Sequence, residues 1–253
     1  MGRIITVVNQ KGGVAKTTTA VNLAAGLASA EQPTLLVDLD PQGNATTGLG
    51  FDKHNVFPSI YHVLLEEQPL EKALRKTSLP TLSLAPADID LVGAEVELVS
   101  LPQREFKLRA ALTPARDSFA FILVDCPPSL GLLTVNALTA ADSALIPLQC
   151  EYYALEGLAQ LLNTIRLVRE ELNPRLEVEG ILLTMFDGRT SLAGQVKAEV
   201  TRHFAQQVFK TVIPRNVRLS EAPSHGKHIF EYDLHSAGAL AYLELTREIL
   251  ARG

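Results

Sequence analysis

The stretch Asn9-Gln-Lys-Gly-Gly-Val-Ala-Lys-Thr-Thr-Thr19 decides the fold. It follows an apolar run, Ile4-Ile-Thr-Val-Val8, and leads into a helix-like run over Thr17–Ala28. A strand, a glycine turn, a Lys-Thr pair and a helix start make a phosphate cradle. Backbone N–H groups of the turn point inward, the helix N-terminus adds positive dipole and the lysine adds a full charge. Lys16 and Thr17 occupy the Lys-Ser/Thr positions of a nucleotide loop. Such a lysine meets the terminal phosphates, and the threonine hydroxyl suits Mg²⁺, a hard cation that takes oxygen ligands. The ordinary pattern, Gly-x-x-x-x-Gly-Lys-Ser/Thr, is not met, because Gln10 and Ala15 stand where its glycines would be. A dinucleotide Gly-x-Gly-x-x-Gly loop is absent, which removes the NAD reading.

Outward from this loop, apolar runs recur at Thr34–Val37, Leu82–Ala85, Phe119–Val124, Ser143–Pro147, Val178–Thr184 and Phe209–Ile213. Several are nearly continuous Val, Ile and Leu, as strands covered on both faces are. Helix-like stretches separate most of them; Tyr153–Leu172 and Ser236–Ala251 are the clearest beside Thr17–Ala28. The expected class is α/β: a single doubly wound, mostly parallel sheet flanked by helices on both faces. With 253 residues, no Pro/Gly/Ser-rich linker and no internal repeat, the expectation is one domain over residues 1–253. Asp52–Lys76 reads as a surface excursion of loop and short helices. Ligands of such sheets bind beyond the strands' carboxyl ends, where the loop after the first strand lies.

Two further motifs end at strand tips. In Leu35-Leu-Val-Asp-Leu-Asp-Pro-Gln-Gly-Asn44, alternation puts Asp38 and Asp40 on the same side of the chain. One carboxylate is suited to organising a metal shell and the other to orienting a water. In Phe121-Ile-Leu-Val-Asp-Cys-Pro-Pro128, Asp125 ends an apolar strand, the usual position of a Walker B aspartate holding Mg²⁺. Cys126 then reads as a small residue at a buried strand end.

Composition is ordinary for a globular chain, 47% hydrophobic and 20% charged. No apolar run reaches the roughly 18 residues that span a bilayer. The chain enters a strand at once, so no leader is expected. Cys126 and Cys150 match no disulfide framework or metal spacing, and a reduced, cytoplasmic location is expected. The net charge of -5 argues against a generally basic nucleic-acid protein. Its distribution differs: Arg189, Lys197, Arg202, Lys210, Arg215, Arg218 and Lys227 are opposed only by Glu199 and Glu221 between Gly188 and His228. This segment reads either as a footprint for a polyanion or as solvated helix faces.

The loop in fact reads Lys-Gly-Gly-Val-Ala-Lys-Thr-Thr, which resembles the deviant Walker A motif of ParA/MinD ATPases. The chain resembles ParA/Soj-type chromosome-partitioning ATPases over nearly its whole length, through Asn9–Thr19, Val37–Leu49, Val124–Ala141, Gln149–Leu162 and Val212–Gly226. The resemblance implies a nucleotide switch using ATP/ADP and Mg²⁺. ATP drives a face-to-face homodimer in which Lys11 reaches the partner's phosphates, as an arginine finger does. Gly12, Gly13, Val14, Ala15 and Thr18 complete the loop around Lys16 and Thr17, and Pro214 and Asn216 hold the adenine end. Asp40 matches the residue required for hydrolysis, with Thr17, Asp38 and Asp125 at the metal. Arg189 and Arg218, with Arg215 close by, match positions that bind double-stranded DNA without sequence preference. A ParB/Spo0J-type centromere-binding protein stimulates an otherwise slow ATPase, and the protein is cytoplasmic and nucleoid-associated.

One position departs from the family. Glycine is expected where Ala15 stands; if the backbone there needs φ > 0, alanine costs on the order of 1 kcal/mol. A nucleotide-binding form impaired in hydrolysis or dimerisation is therefore one alternative. A MinD-like membrane-associated positioning ATPase is another, disfavoured because no basic-apolar extension follows the helix ending at Ala251. An iron–sulfur carrier on the same fold is disfavoured because neither cysteine is placed to hold a bridging cluster.

Overall fold

A computed structural model describes residues 2–151 and 154–252. Its eight strands are β1 (Arg3–Val7), β2 (Thr34–Asp38), β3 (Arg75–Lys76), β4 (Leu82–Ala85), β5 (Phe121–Asp125), β6 (Ser143–Gln149), β7 (Glu177–Phe186) and β8 (Val208–Pro214). They form one sheet in the order β3-β4-β2-β5-β1-β6-β7-β8. All neighbours are parallel except β3, which runs antiparallel along β4 at the edge. This is the expected α/β class, with helices on both faces.

The strand alternation builds two cores. Ile4, Leu35, Val37, Ile122, Val124, Ile146, Ile181 and Leu183 face one side, against the helices Ile60–Leu65, Leu91–Leu98, Leu132–Ala140, Ala154–Glu171 and Ser191–Phe204. Ile5, Val7, Leu36, Leu84, Leu123, Leu145 and Leu182 face the other, against Lys16–Ser29 and Ala237–Ala251. Those last two helices pack closely at Gly26, where a Cβ would lie 2.2 Å from Thr246 Oγ1. The expected helix start at Tyr153 lies outside the described residues; the helix is described from Ala154 to Glu171.

The excursion after Asp52 holds the short helices Ile60–Leu65 and Leu70–Ala73 and then β3. Ser59 and His62 cap the first of these reciprocally. Ser236 caps the last helix of the chain by accepting from Ala239 N–H at 3.1 Å. No helix among the described residues is long and apolar enough to cross a membrane. Because β5 runs between β2 and β1, the carboxyl ends of these three strands meet at one point of the sheet edge.

Candidate functional site

Two strand-end carboxylates are brought face to face by register. Asp38 ends β2 and Asp125 ends β5, and the two are direct ladder partners; Val7, which ends β1, flanks Asp125 on the other side. The loop after β1 therefore arches over both aspartates. Gly13 (φ 72°) and Ala15 (φ 65°, ψ 33°) are both left-handed, and Ala15 caps the helix that opens with Lys16 and Thr17. Thr19 N–H donates to Ala15 O at 2.9 Å, so the helix begins directly out of this strained residue. Thr184 Oγ1 donates to Val14 O at 3.0 Å, fastening the loop to β7.

Gln10 stands where an ordinary loop has glycine. Its amide donates to Gly157 O at 3.2 Å and Gln160 Oε1 at 2.9 Å, tying the loop to the helix Ala154–Glu171. Asn9 works beside it, accepting from Lys11 N–H at 3.0 Å and donating to Pro147 O at 2.7 Å.

The three carboxylates of the site are not equivalent. Asp38 is fully buried, and Thr46 donates both its N–H and its hydroxyl to Oδ2 at 2.7 Å. Burial pushes the Asp38 carboxyl up to about 6, and the neighbouring Asp40 charge adds to this against the Thr46 bonds. Asp40 lies past the strand end; its N–H donates to Asp38 Oδ1 at 3.3 Å, and its own Oδ1 accepts from Gln42 N–H at 2.9 Å.

Asp125 is fully buried, and among the described residues neither of its oxygens has a partner at hydrogen-bond geometry. Burial and then the Asp38 charge push it well above the usual carboxylate range, while Thr17 lies close enough to oppose the rise. A buried carboxylate without a donor is costly unless something cationic meets it. Thr17 and Asp125 offer hydroxyl and carboxylate oxygens, the donor set that Mg²⁺ takes, with Asp38 beside them.

Both loop lysines are held within the chain. Lys16 is buried and donates to Lys11 O at 2.8 Å; burial lowers its pKa, opposed by the nearby Asp125 and Asp40 charges. Lys11, half-exposed, pairs with Glu151. A cleft of about 340 Å³ is lined by Gly12, Gly13, Ala15, Lys16, Thr17, Thr18, Asp40 and Met185. Thr17 and Thr18 also line an adjoining space of about 290 Å³ that runs toward Ala222 and Pro223. A more open cleft of about 860 Å³ lies elsewhere, between residues 63–71 and 103–114, and its Lys107 and Glu67 neutralise each other at 3.1 Å.

Pro214 and Asn216 line neither of the two adjoining spaces. Pro214 ends β8, and Asn216 precedes the helix Val217–Glu221 with its Oδ1 buried and unpartnered among the described residues. Arg189 and Arg215 gather around Asp187. Arg189 Nε and Nη2 donate to its two oxygens at 2.8 and 2.7 Å, and these bonds, with Arg215 nearby, hold the Asp187 carboxyl well below its ordinary range. Arg218 instead pairs with Glu221 at 2.9 Å and Asp233 at 3.4 Å.

Beside Asn9 and Gln10, the residues Thr46, Glu151, Thr184 and Met185 shape the site without an expected role. Glu151 lies in the Gln149–Leu162 block, so a signal for it was present. Met185 is left-handed at φ 46°, a property that its residue type conceals. Cys126 is buried, with Thr6 Oγ1 3.0 Å from its sulfur, and burial pushes its thiol up to about 12, as befits an inert strand-end residue.

Comparison with known proteins agrees with this geometry. A family model described as an AAA domain matches residues 2–178. Chromosome partitioning protein ParA of Myxococcus xanthus is 60% identical over 252 residues, covering 100% of this chain and 89% of that protein. Sporulation initiation inhibitor protein Soj of Bacillus subtilis is 56% identical over 253 residues, covering 100% of each. A solved structure named cobyrinic acid a,c-diamide synthase, from Mycobacterium smegmatis with bound ATP analog and magnesium, matches with a TM-score of 0.88 at 39% identity, covering 100% of this chain and 96% of that one. The cell division ATPase MinD of Pyrococcus furiosus matches with a TM-score of 0.82 at 27% identity over 100% of both chains. The deviant loop, the paired strand-end aspartates and full-length identity of this order carry one conclusion: the chain belongs to the ParA/Soj family of chromosome-partitioning ATPases.

Proposed function

We propose that this chain is an ATP-driven dimerising switch that hydrolyses ATP slowly and binds DNA in its dimeric state. The observation that carries the reading is Asp125, fully buried beneath Thr17 and Lys16 with both oxygens unpartnered among the described residues. Thr17 and Asp125 would hold Mg²⁺, with Asp38 positioned behind them by Thr46. Bound there, the ion would neutralise charge on the phosphates. Backbone N–H groups of Gly12 through Thr18 cradle the phosphates. Lys16 exchanges its bond to Lys11 O for phosphate oxygens, and the Asp40 carboxylate orients the attacking water.

Lys11 leaves Glu151 and reaches the phosphates of a second subunit, so each site is completed in trans. Pro214 and Asn216 hold the adenine end, the unpartnered Asn216 Oδ1 being suited to accept from an exocyclic amine. Arg189, Arg215 and Arg218 contact DNA phosphates without reading bases, and dimerisation doubles that surface. A ParB/Spo0J-type partner stimulates turnover and returns the subunits to the monomeric state, in the cytoplasm and on the nucleoid.

Size-exclusion chromatography with light scattering tests this directly, comparing no nucleotide, ADP, ATP, and ATP with DNA. A dimer is expected only with ATP, and a larger ATP-dependent species with DNA. A monomer under every condition would overturn the proposal.

A further inference from the structure

On the sheet edge opposite the phosphate loop, at the amino ends of the strands, lies a cavity of about 220 Å³. Its lining includes Arg109, Arg116, Thr139, Asp142, Asn173 and Arg175. Asp142 leads into β6 and Arg175 leads toward β7. A strand's length, about 20 Å, therefore separates this cavity from the nucleotide cleft.

Its charge is one-sided. Three guanidinium groups meet one carboxylate, in a chain that is -5 overall. Arg116 and Asp142 form a bidentate pair, Nη1 to Oδ2 at 2.8 Å and Nη2 to Oδ1 at 2.9 Å. Asp142 Oδ2 also accepts from Ile4 N–H at 2.8 Å, so that pair is complete in itself. Arg109 lies over the Phe106 ring, its Cζ 4.4 Å from the centroid, a contact that uses no N–H. Among the described residues neither Arg109 nor Arg175 pairs with a carboxylate, whereas Arg104, Arg166 and Arg218 each do.

Charge alone would mark a solvated rim; Thr139 marks more. It is 1% exposed, and its Oγ1 is buried with no partner among the described residues. A helical threonine can turn its hydroxyl onto the carbonyl four residues back, as Thr113 does to Arg109 O at 2.7 Å. Thr139, in the helix Leu132–Ala140, forgoes that bond although burial makes an unmade bond costly. A donor kept uncommitted in the wall of an arginine-lined cavity suits an oxyanion. The helix Leu132–Ala140 also ends here, and its carbonyl end would repel an anion. Asn173 screens that end, its Nδ2 donating to Leu138 O at 3.0 Å and Ala141 O at 2.7 Å.

Size and charge narrow the ligand. Pockets for drug-sized molecules begin near about 300 Å³, so a nucleotide is too large. A single phosphate group fits, with a few waters of about 30 Å³ each. Guanidinium forks grip phosphate oxygens two at a time, and a phosphate dianion matches the excess of two positive charges where a monocarboxylate does not. We propose that this cavity binds inorganic phosphate, with Arg109 and Arg175 closing on its oxygens and the Thr139 hydroxyl donating to it. Arg116 stays on Asp142 and adds its field. The site is separate from the nucleotide loop and does not rest on the nucleotide reading.

Equilibrium dialysis of radiolabelled inorganic phosphate against the full chain tests this, with ionic strength held constant by sodium chloride. The phosphate loop is a second place for the ion, so Lys16→Ala is measured beside the unaltered chain. Lys16→Ala is expected to keep a phosphate bound, and adding Arg109→Ala with Arg175→Ala should weaken that binding at least about tenfold. Thr139→Val should weaken it by about threefold and leave the melting curve unchanged, because the hydroxyl bonds nothing within the chain. Melting curves without phosphate establish that the variants fold. No phosphate on folded Lys16→Ala overturns the proposal, as does equal binding with and without the two arginines or by Thr139→Val. Acetate displacing the label as well as unlabelled phosphate does would make the cavity a sink for any small anion, and would also overturn it.

Discussion

Ala15 carries more consequence than any other single position. It sits at φ 65°, a region that costs an L-residue roughly 1–2 kcal/mol, and it does so at the first step of the helix that presents Lys16 and Thr17. Thr19 N–H bonds to its carbonyl, so the helix cannot begin elsewhere without losing that bond. Ala15→Gly should therefore raise the unfolding free energy by up to about 1 kcal/mol in a urea titration, the relief of strain exceeding the entropy that glycine loses. The same change should tighten nucleotide affinity or alter turnover, because the residue lines the cleft beside Lys16. Identical stability, affinity and turnover before and after reversion would show that the loop bears alanine at no cost.

Among the elements, the short helix Ile229–Tyr232 shows how a cap can report on pH. Buried His228 accepts from Glu231 N–H through Nδ1 at 3.3 Å, which requires that nitrogen to be unprotonated. Burial lowers the His228 pKa from its ordinary 6.5, with Glu231 opposing. The native chain then binds fewer protons here than the unfolded one, so stability rises with pH through this range. The contribution is present in full above 6.5 and is lost as pH falls below it. His228→Asn keeps a capping acceptor but cannot titrate. Between pH 7.5 and 5.5 the wild-type Tm should fall by about a few degrees more than that of the variant; parallel melting curves would remove His228 as the cause.

The elements themselves were legible where burial on both sides forces continuous Val, Ile and Leu, as in Ile122–Val124 and Ile181–Leu183. β3 was not, because Arg75 and Lys76 carry no apolar signal on an edge. The strand expected from Phe119 begins at Phe121, since Phe119 and Ala120 belong to the turn. Lys16, Thr17 and Asp125 could be read from local spacing. Thr46 and Thr184 could not be, because their roles arise from contacts across the fold.

At the scale of the molecule, charge is arranged against the average. The chain carries -5 overall, yet Arg189 and Arg215 converge on one aspartate, and Arg218 is engaged by Glu221 and Asp233. On the proposed reading DNA phosphates would compete with these carboxylates, and affinity should then fall steeply with salt. Arg189→Glu with Arg218→Glu should abolish ATP-dependent binding to arbitrary duplex in an electrophoretic shift assay while light scattering still reports the dimer. Retained binding at moderate salt would remove these arginines from the surface. The Lys11–Glu151 pair has a consequence of another kind. In the proposed two-fold assembly, with Lys11 crossing to the partner's phosphates, each subunit would break its own copy, and the term would enter squared. An exposed pair of about 0.5 kcal/mol would then reduce the association constant about fivefold. A contact too weak to matter for one folded chain would thus act as a concentration threshold for two.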